Sequence, residues 1–396
     1  MNHLGNWRNG ELGNFITLKR GFDLPQQKRE DGQVPIFSSS GITGTHSTAM
    51  VNAPGVITGR YGTIGEVFYA AEDFWPLNTT LFVEDFHGND AKFIYYFLKT
   101  LEWSKFTSAS AVPGINRNTV HKETVSLPDI ETQRRIASTL SMLDEKIKTN
   151  TEINDNLAYQ LKDIYNYWFN QFDFPHNDKH QYKADGGLMI WNDKIKRKIP
   201  AGWEIKSFGE LCSLRNGINY DKSVEGDKMY RIINVRNISS SDLILNENDL
   251  DEISLPQKQG NKYCVSENSI IVARSGIPGA TRILQKLSSN IIFCGFIICC
   301  TPCDDIYKYY LMFYLKQLEG SAATKTGGSI LQNVSQDTLS NLPVPIPPQS
   351  LLREFNQIVS QSLELIHSNM QENTQLLKLR DWLLPMLMNG QATISD

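Results

Sequence analysis

Two long stretches with the same spacing of apolar residues constrain this chain more than any other feature of its sequence. Between Ile136 and Trp168, apolar residues recur alternately every four and three positions, which is the heptad period of helices that pack along a seam. The period stays in phase only if two asparagines occupy seam positions. The predicted pairing residues of this stretch are Ile136, Leu140, Leu143, Ile147, Asn150, Asn154, Leu157 and Leu161.

A second stretch near the C-terminus repeats this pattern. Asn369 and Asn373 follow Asn150 and Asn154 by 219 residues each, and Leu376 and Leu383 continue the second seam. A helix from about Glu131 to Phe169 is about 60 Å long, and it cannot bury an apolar stripe without a partner. The second helix supplies that partner. The alternatives are two unrelated amphipathic helices in a large core, or asparagines that face solvent.

The segments that precede the two helices also resemble each other. Three groups of residues recur at offsets that grow along the chain: Gly13, Leu18, Lys19 and Gly21 match Gly209, Leu214, Arg215 and Gly217; Arg60, Gly62 and Gly65 match Arg274, Gly276 and Gly279; Leu98, Lys99, Leu101 and Glu102 match Leu315, Lys316, Leu318 and Glu319. The offset rises from 196 to 214, so the second copy holds about 18 extra residues, which fall in the polar region 234–259. A period above 200 residues indicates duplicated domains.

These repeats divide the chain into segments. The predicted boundaries are 1–127 for a first α/β module, 128–170 for the first long helix, 171–200 for a polar linker, 201–342 for a second α/β module, 343–390 for the second long helix and 391–396 for a tail.

Composition limits the function classes. The chain has 396 residues, 40% of them hydrophobic, and a formal charge of −4. This balance argues against binding of nucleic acid through bulk charge, although it allows local basic surfaces. There is no run of eighteen apolar residues and no signal-peptide core, so we expect a cytoplasmic protein without a membrane span.

Six cysteines include a C-x-x-C pattern at Cys300 and Cys303. A zinc site would need a second ligand pair at suitable spacing. The first repeat has no counterpart, so buried free thiols on a strand are the better interpretation, and no metal site is predicted.

The helical motifs resemble a known family. LPDIETQRRIASTLSMLDEKI with the following INDNL and YNYWF, and VPIPPQSLLREF with LRDWLLPMLMNGQ, are similar to the conserved regions of specificity subunits of type I restriction–modification systems. Two positions depart from the family pattern: Asp129 follows Pro128 where a second proline is usual, and Leu352 stands where a glutamine is expected, opposite Gln133.

The resemblance implies an α+β fold: a tandem repeat of two α/β target-recognition domains, separated by two long antiparallel, coiled-coil-like helices with pseudo-two-fold symmetry. It implies that each domain reads one half of a bipartite, asymmetric double-stranded DNA site, with the helices setting the spacer. It also implies a chain without catalytic residues or a cofactor. The expected partners are two methyltransferase subunits that use S-adenosylmethionine and two motor-nuclease subunits that use ATP and Mg²⁺.

Candidate DNA-binding residues are polar or basic and lie in loops, because arginine reads guanine, asparagine and glutamine read adenine, and hydroxyls bind phosphates. They are Ser38, Ser39, Ser40, Thr43, Arg60, Tyr61, Thr63, Asn116 and Arg117 in the first module, and Asn219, Tyr220, Arg236, Asn237, Arg274, Ser275, Lys325, Thr326 and Gln332 in the second. The alternative for each is a solvated loop residue or a turn cap. Arg60 and Arg274 could instead pair with an internal carboxylate.

The sequence leaves two other functions to consider. Pro128-Asp129 with Asp144-Glu145-Lys146 imitates the PD-(D/E)xK pattern of Mg²⁺-dependent nucleases. On one continuous helix, however, Asp129 and Asp144 would lie about 22 Å apart, too far to share one metal. A helical scaffold that holds only proteins is the remaining alternative.

Overall fold

The computed structural model describes residues 7–107, 113–176, 180–220, 226–319 and 334–394. The chain divides into two compact units, one formed by Met1–Lys148 with Asn373–Asp396 and the other by Thr149–Glu372. Each unit therefore contains one α/β module and part of both long helices. Among the described residues, no helix has the length and apolar composition that crossing a membrane requires.

The described residues of unit 1 form nine strands and two short helices, followed by the start of a long helix. In chain order the elements are β1 (Arg8–Glu11), β2 (Thr17–Arg20), β3 (Val34–Ser38), β4 (Gly41–His46), β5 (Gly55–Gly59), β6 (Val67–Ala70), β7 (Trp75–Pro76), β8 (Thr80–Asp85), α1 (Ala91–Lys99), α2 (Arg117–His121), β9 (Thr124–Leu127) and the long helix α3 (Ile130–Tyr165). Short 3₁₀ turns cover Leu12–Asn14, Gln26–Lys28 and Trp103–Phe106.

Unit 2 repeats these elements with insertions. They are β10 (Pro175–His176), β11 (His180–Gln181), β12 (Met189–Asn192), β13 (Arg197–Pro200), β14 (Glu204–Ser207), α4 (Phe208–Leu211), β15 (Cys212–Asn216), β16 (Lys228–Ile233), α5 (Val235–Ser239), β17 (Asp251–Leu255), α6 (Gln257–Gly260), β18 (Ile270–Ala273), β19 (Thr281–Ile283), β20 (Ile291–Phe293), β21 (Ile297–Pro302), α7 (Lys308–Leu318), α8 (Gln336–Ser340), β22 (Pro343–Ile346) and the long helix α9 (Gln349–Met388). Further 3₁₀ turns cover Glu247–Asp249, Asn261–Tyr263 and Asp305–Tyr307.

The two modules have the same sheet topology. A four-stranded sheet has the order β2-β8-β5-β6 in unit 1 and β15-β21-β18-β19 in unit 2, and a three-stranded sheet has the order β4-β3-β7 or β17-β16-β20. The antiparallel pair β1–β9 is matched by β14–β22 in the same register. Two residues, 39–40, join β3 to β4, whereas residues 234–250 join β16 to β17, so an insertion lies in the predicted region.

Within unit 1, the first half of α3 packs against the last turns of α9. Ile136 and Leu140 share an apolar core with Leu387 and Met388. Later along α3, the Asp144 carboxylate accepts a hydrogen bond from Arg380 at 2.9 Å. Residues later in α3 therefore contact residues earlier in α9, so the two helices are antiparallel.

Within unit 2, the second half of α3 meets the first half of α9 in the same sense. The Asn369 side chain donates to Asn154 Oδ1 at 2.9 Å, the contact that antiparallel packing predicts. Asn150 and Asn369 are buried at 1% and 8% exposure, which excludes solvent-facing asparagines at these two positions. Asn150 donates to Glu372 at 2.7 Å, so its buried amide is satisfied.

Residues 171–200 are not the simple linker that their polar composition predicts. Their described residues include the antiparallel strand pairs β10–β11 and β12–β13. Phe172, Phe174 and Ile199 are buried in the apolar core of unit 2. Burial of these few large side chains outweighs the polar character of the segment, because each contributes about 1.5–3 kcal/mol. The end of α3 also differs slightly from the prediction, since residues 166–170 form a π-helical turn.

Candidate nucleic-acid interface

The turn after β5 brings together the strongest candidates of unit 1. The Arg60 backbone N–H donates to the Thr79 carbonyl at 2.9 Å, and its side-chain Nε donates to the Ile115 carbonyl at 3.4 Å. The guanidinium carbon lies 4.6 Å from the centre of the Tyr61 ring. Gly62 has a φ of +76°, a conformation that glycine adopts without steric cost, so the chain turns sharply after the arginine.

The serine cluster lies next to this turn. A Cβ on Gly59 or Gly62 would lie 3.1 or 3.3 Å from side-chain atoms of Ser39, so Ser39 borders the arginine turn. Ser38 and Ser40 have their hydroxyls 3.0 Å apart, and Ser38 donates to the Gly41 carbonyl at 3.1 Å. These two hydroxyls therefore close the β3–β4 turn.

The remaining candidates of unit 1 differ in role. Asn116 caps α2, because its side chain accepts from the Asn118 N–H at 3.0 Å. Arg117 and Thr63 are exposed. Thr43 is exposed on β4, and its carbonyl accepts from Arg29 at 3.4 Å. The exposed side chains remain available to a ligand, whereas the Asn116 amide oxygen already serves the helix.

Arg274 repeats the arrangement of Arg60 in unit 2. Its N–H donates to the Phe296 carbonyl at 2.9 Å, and its Nε donates to the Val334 carbonyl at 3.4 Å. Val334 follows Ile115 by 219 residues, so the two arginines bind equivalent carbonyls. Arg274 also donates through Nη1 to the Gly295 carbonyl at 3.3 Å.

Among the described residues, the side-chain hydrogen bonds of both arginines go to backbone carbonyls and not to a carboxylate. Backbone carbonyls orient both guanidinium groups instead. Among the described residues, Nη1 and Nη2 of Arg60 and Nη2 of Arg274 have no hydrogen-bond partner. Half-buried, oriented guanidinium groups with free donors are suited to acceptors on a ligand.

Other candidates of unit 2 lie around Arg274. Asn219 is exposed and borders Gly295, whose carbonyl accepts from Arg274, since a Cβ on Gly295 would lie 2.0 Å from the Asn219 Oδ1. The Tyr220 hydroxyl donates to Asn234 Oδ1 at 3.4 Å. Ser275 follows Arg274 and is half-buried. Lys325, Thr326 and Gln332 lie outside the described residues.

Asn237 is a correction to the sequence prediction. Its side chain is only 3% exposed, accepts from the Asn234 N–H at 2.8 Å and donates to the Asp249 carbonyl at 2.8 Å. It is therefore an internal cap of α5 rather than a surface group. Its neighbour Arg236 is exposed but forms an ion pair with Asp251 at 2.5 Å, which partly neutralises its charge.

Two residues of this face in unit 2 were absent from the prediction. Asn234 is half-buried and binds both Tyr220 and Asp251. Phe296 is 62% exposed at the turn whose carbonyl binds Arg274. The Phe296 side chain has no polar atom, so a prediction based on hydrogen-bonding side chains does not include it. The sequence signal for this position is its alignment with Thr79 of the first module, at an offset of 217.

The acidic residues of the nuclease-like pattern have structural roles. Asp129 accepts from the Thr132 N–H at 2.9 Å at the start of α3, and this hydrogen bond lowers its pKa. Asp144 accepts from Tyr96 at 2.6 Å and from Arg380 at 2.9 Å. Among the described residues, no group of three or more histidine, cysteine or acidic side chains is arranged to hold a metal.

The cysteines are also unpaired and mostly buried. In the described structure all six are free thiols, and Cys212, Cys294, Cys299 and Cys300 are buried. Burial raises the pKa of Cys212 and Cys300, which keeps these thiols protonated rather than as metal-binding thiolates.

Comparison with known proteins identifies the family. The family model described as the type I restriction modification DNA specificity domain matches residues 5–159 and 200–377. The chain belongs to this family.

Relatives and a solved structure of the type I specificity family agree with this assignment. The chain is 24% identical over 323 residues to the type I restriction enzyme MjaIX specificity subunit of Methanocaldococcus jannaschii, covering 78% of this chain and 71% of the relative. It is 25% identical over 349 residues to the HindI specificity subunit of Haemophilus influenzae, covering 74% and 75%.

The fold of the M. genitalium type I restriction–modification S subunit is also similar. Its crystal structure covers 100% of this chain and 98% of its own, with a TM-score of 0.62 at 17% identity. The expected α+β fold with two specificity modules and long helices is confirmed, and the role of the chain is DNA recognition.

Proposed function

We propose that this chain is the sequence-reading subunit of a type I restriction–modification complex, and that its modules read two different halves of one bipartite DNA site. The observation that carries this proposal is the repeated arginine turn. Arg60 and Arg274 occupy the same place in the same sheet topology, held by equivalent carbonyls. Their neighbours differ, with Tyr61 and Ser39 in unit 1 and Asn219 in unit 2. The same backbone arrangement with different side chains is suited to reading two different half-sites.

The chain itself is non-catalytic in this proposal. Two methyltransferase subunits supply S-adenosylmethionine chemistry, and two motor-nuclease subunits supply ATP- and Mg²⁺-dependent steps. Supporting this role, large apolar side chains remain exposed on the long helices within each unit, which is typical of surfaces that bind a partner. They are Met142, Leu377, Leu379 and Trp382 in unit 1, and Ile153, Tyr159, Ile358 and Leu365 in unit 2. Since the formal charge is −4, we expect weak DNA binding without partners.

Methylation mapping tests this function. Cells that lack other restriction systems would express the full chain with its methyltransferase subunit, and the methylated adenines would be mapped across the genome. We expect one asymmetric motif with two specific parts and an unspecific spacer. Arg60→Ala should relax a base in one part and Arg274→Ala a base in the other, because each lost base contact costs about 1–3 kcal/mol.

The equivalent arginines on the long helices provide matched controls. Arg134 and Arg353 are exposed near the helix starts and lie outside the modules, so Arg134→Ala and Arg353→Ala should leave the motif unchanged. A single continuous motif, or relaxation of both parts by one arginine variant, would contradict the proposal. An absence of sequence-dependent methylation would favour a scaffold that holds only proteins.

A further inference from the structure

Phe296 is an exposed aromatic residue of unit 2 whose backbone contacts Arg274. It lies between β20 and β21, and 62% of the residue is exposed. A large apolar side chain in this position loses the free energy that burial would provide, about 1.5–3 kcal/mol. Its exposure beside the arginine turn therefore points to a function outside the core.

The backbone around Phe296 is held by hydrogen bonds on both sides. The Gly295 N–H donates to the Ile218 carbonyl at 2.7 Å, and the Ile297 N–H donates to the Cys294 carbonyl at 3.0 Å. The Phe296 carbonyl itself accepts from the Arg274 N–H at 2.9 Å. The ring is thus presented from a fixed backbone position next to the guanidinium group, and little backbone ordering is needed when a ligand binds.

Unit 1 has the same backbone arrangement with a different side chain. The Thr79 carbonyl accepts from the Arg60 N–H at 2.9 Å, as the Phe296 carbonyl accepts from Arg274. The carbonyl of the following residue also has an equivalent donor in both units. The Thr80 carbonyl accepts from the Gly21 N–H at 3.1 Å, and the Ile297 carbonyl accepts from the Gly217 N–H at 3.1 Å. Thr79 and Phe296 therefore occupy equivalent positions. One is small and half-buried, and the other is a large exposed ring.

We propose that Phe296 is a specificity-determining residue of the second module, and that its ring makes an apolar contact with a base of the second half-site. This inference rests on the proposed function. A phenyl ring offers no hydrogen bond, so the contact must be with an apolar part of DNA. The thymine methyl group and the face of an unstacked base are the apolar parts that belong to a base rather than to the sugar. The contact adds to the hydrogen bonds of Arg274, whose backbone N–H donates to the Phe296 carbonyl.

Binding measurements with matched duplexes test the contact. The full chain, assembled with its methyltransferase subunit, would be titrated with a duplex that carries the mapped motif and with one whose second half-site is scrambled. Phe296→Ala and Phe296→Thr, the latter carrying the residue of unit 1, should weaken binding to the intact motif about tenfold. Binding to the scrambled duplex should not change.

Two modified duplexes distinguish the two apolar contacts. Deoxyuridine in place of a thymine of the second half-site should reproduce the loss in the wild-type complex and add nothing to Phe296→Ala, if the ring contacts the methyl group. A 2-aminopurine base should brighten on binding to wild type but not to Phe296→Ala, if the ring meets an unstacked base. A half-site that responds to neither substitution overturns the proposal.

Met229 provides the matched control. It is 53% exposed and lies near the start of β16. The other end of this strand, at Ile233, pairs with Phe293 of β20, close to Phe296 in sequence. Met229→Ala removes a comparable exposed apolar side chain and should bind both duplexes like the wild type. Phe296 variants that bind the intact motif normally, or that lose equal affinity for both duplexes, overturn the assignment. The proposed function would still stand in that case, whereas a wild-type complex without a bipartite motif would refute the function itself.

Discussion

His121 is a half-buried hydrogen-bond acceptor, and its protonation state links the stability of unit 1 to pH. Its Nε2 accepts from the Leu18 backbone N–H at 2.9 Å, and a protonated imidazole could not accept this bond. Burial, followed by the charges of Arg117 and His87, lowers its pKa below the usual 6.5. The equivalent position in unit 2 is Ser340, at an offset of 219, which does not titrate in this range.

We predict that unit 1 loses stability as the pH falls below 6.5. Above this value His121 is neutral in the folded and unfolded chains, so its contribution is complete. Below pH 6.5, His121 is protonated in the unfolded chain before it is protonated in the folded chain. The free energy of unfolding therefore decreases until the pH falls below the lowered pKa of His121 in the folded chain. Hydrogen exchange of peptides that contain Leu18, corrected for the intrinsic rate, should show decreasing protection from pH 7 to pH 5.

Two variants check the origin of this pH dependence. His121→Leu leaves the Leu18 N–H unpaired, costing about 1–3 kcal/mol at neutral pH, and should flatten the dependence. His367 in unit 2 also has a pKa lowered by burial, so His367→Gln should leave the exchange of the Leu18 peptides unchanged. An unchanged slope in His121→Leu would show that another group is responsible.

Residue type alone located some of the interface, but not the use of each side chain. Arg60 and Arg274 were recognisable because each follows an apolar strand and precedes a glycine turn, and the structure places them equivalently. Asn237 has the same chemistry as an adenine-reading asparagine, yet it caps α5 inside the unit. Phe296 has no hydrogen-bonding side chain, so residue type does not mark it as part of the interface. Burial separates these cases, and burial depends on contacts distant in sequence.

At the scale of elements, Gln133 fixes the start of α3 to the module that precedes it. Its amide donates to Asn89 at 2.8 Å and to the Pro128 carbonyl at 2.9 Å, and its oxygen accepts from the Asp90 N–H at 3.0 Å. The residue is fully buried. In unit 2 the corresponding Leu352 is also buried, and Asn356 instead donates to the Ile306 carbonyl at 2.8 Å. The departure from the family pattern therefore exchanges one polar attachment for another.

We predict that Gln133→Leu, which introduces the residue of the second repeat, destabilises unit 1 by about 2–4 kcal/mol. The change leaves buried donors and acceptors of Asn89, Asp90 and Pro128 without partners, and each such group costs about 1–3 kcal/mol. Denaturant unfolding provides the measurement. Arg134→Leu, at the exposed neighbouring position, should change the free energy of unfolding by no more than about 0.5 kcal/mol. Equal effects of the two substitutions would argue against the attachment.

The elements most accessible from sequence were the long helices, since their heptad spacing and the repeated asparagines are local signals. The Asn154–Asn369 contact could be anticipated from the offset alone. The strand pairs of residues 171–200 could not, because Phe172 and Phe174 find their partners in the core of unit 2. The composition of the segment is polar overall and does not distinguish these two phenylalanines from their neighbours. Only the tertiary contacts show which residues are buried.

At the scale of the whole molecule, α3 and α9 are the elements that belong to both units. Helix α3 is continuous from Ile130 to Tyr165, and α9 from Gln349 to Met388. We propose that their length sets the spacer between the two half-sites. Seven residues of helix correspond to about 10 Å, or roughly three base pairs at 3.4 Å each.

Removal of one heptad from both helices tests this proposal. Residues 151–157 and 366–372 are suitable segments, because Asn154 and Asn369 face each other at their centres and the remaining seam keeps its phase. We predict the same two half-sites with a spacer about three base pairs shorter in the methylation map. Removal of 151–157 alone puts the two seams out of register and should abolish methylation. An unchanged spacer in the double deletion would mean that the helices join the modules without measuring the distance between the half-sites.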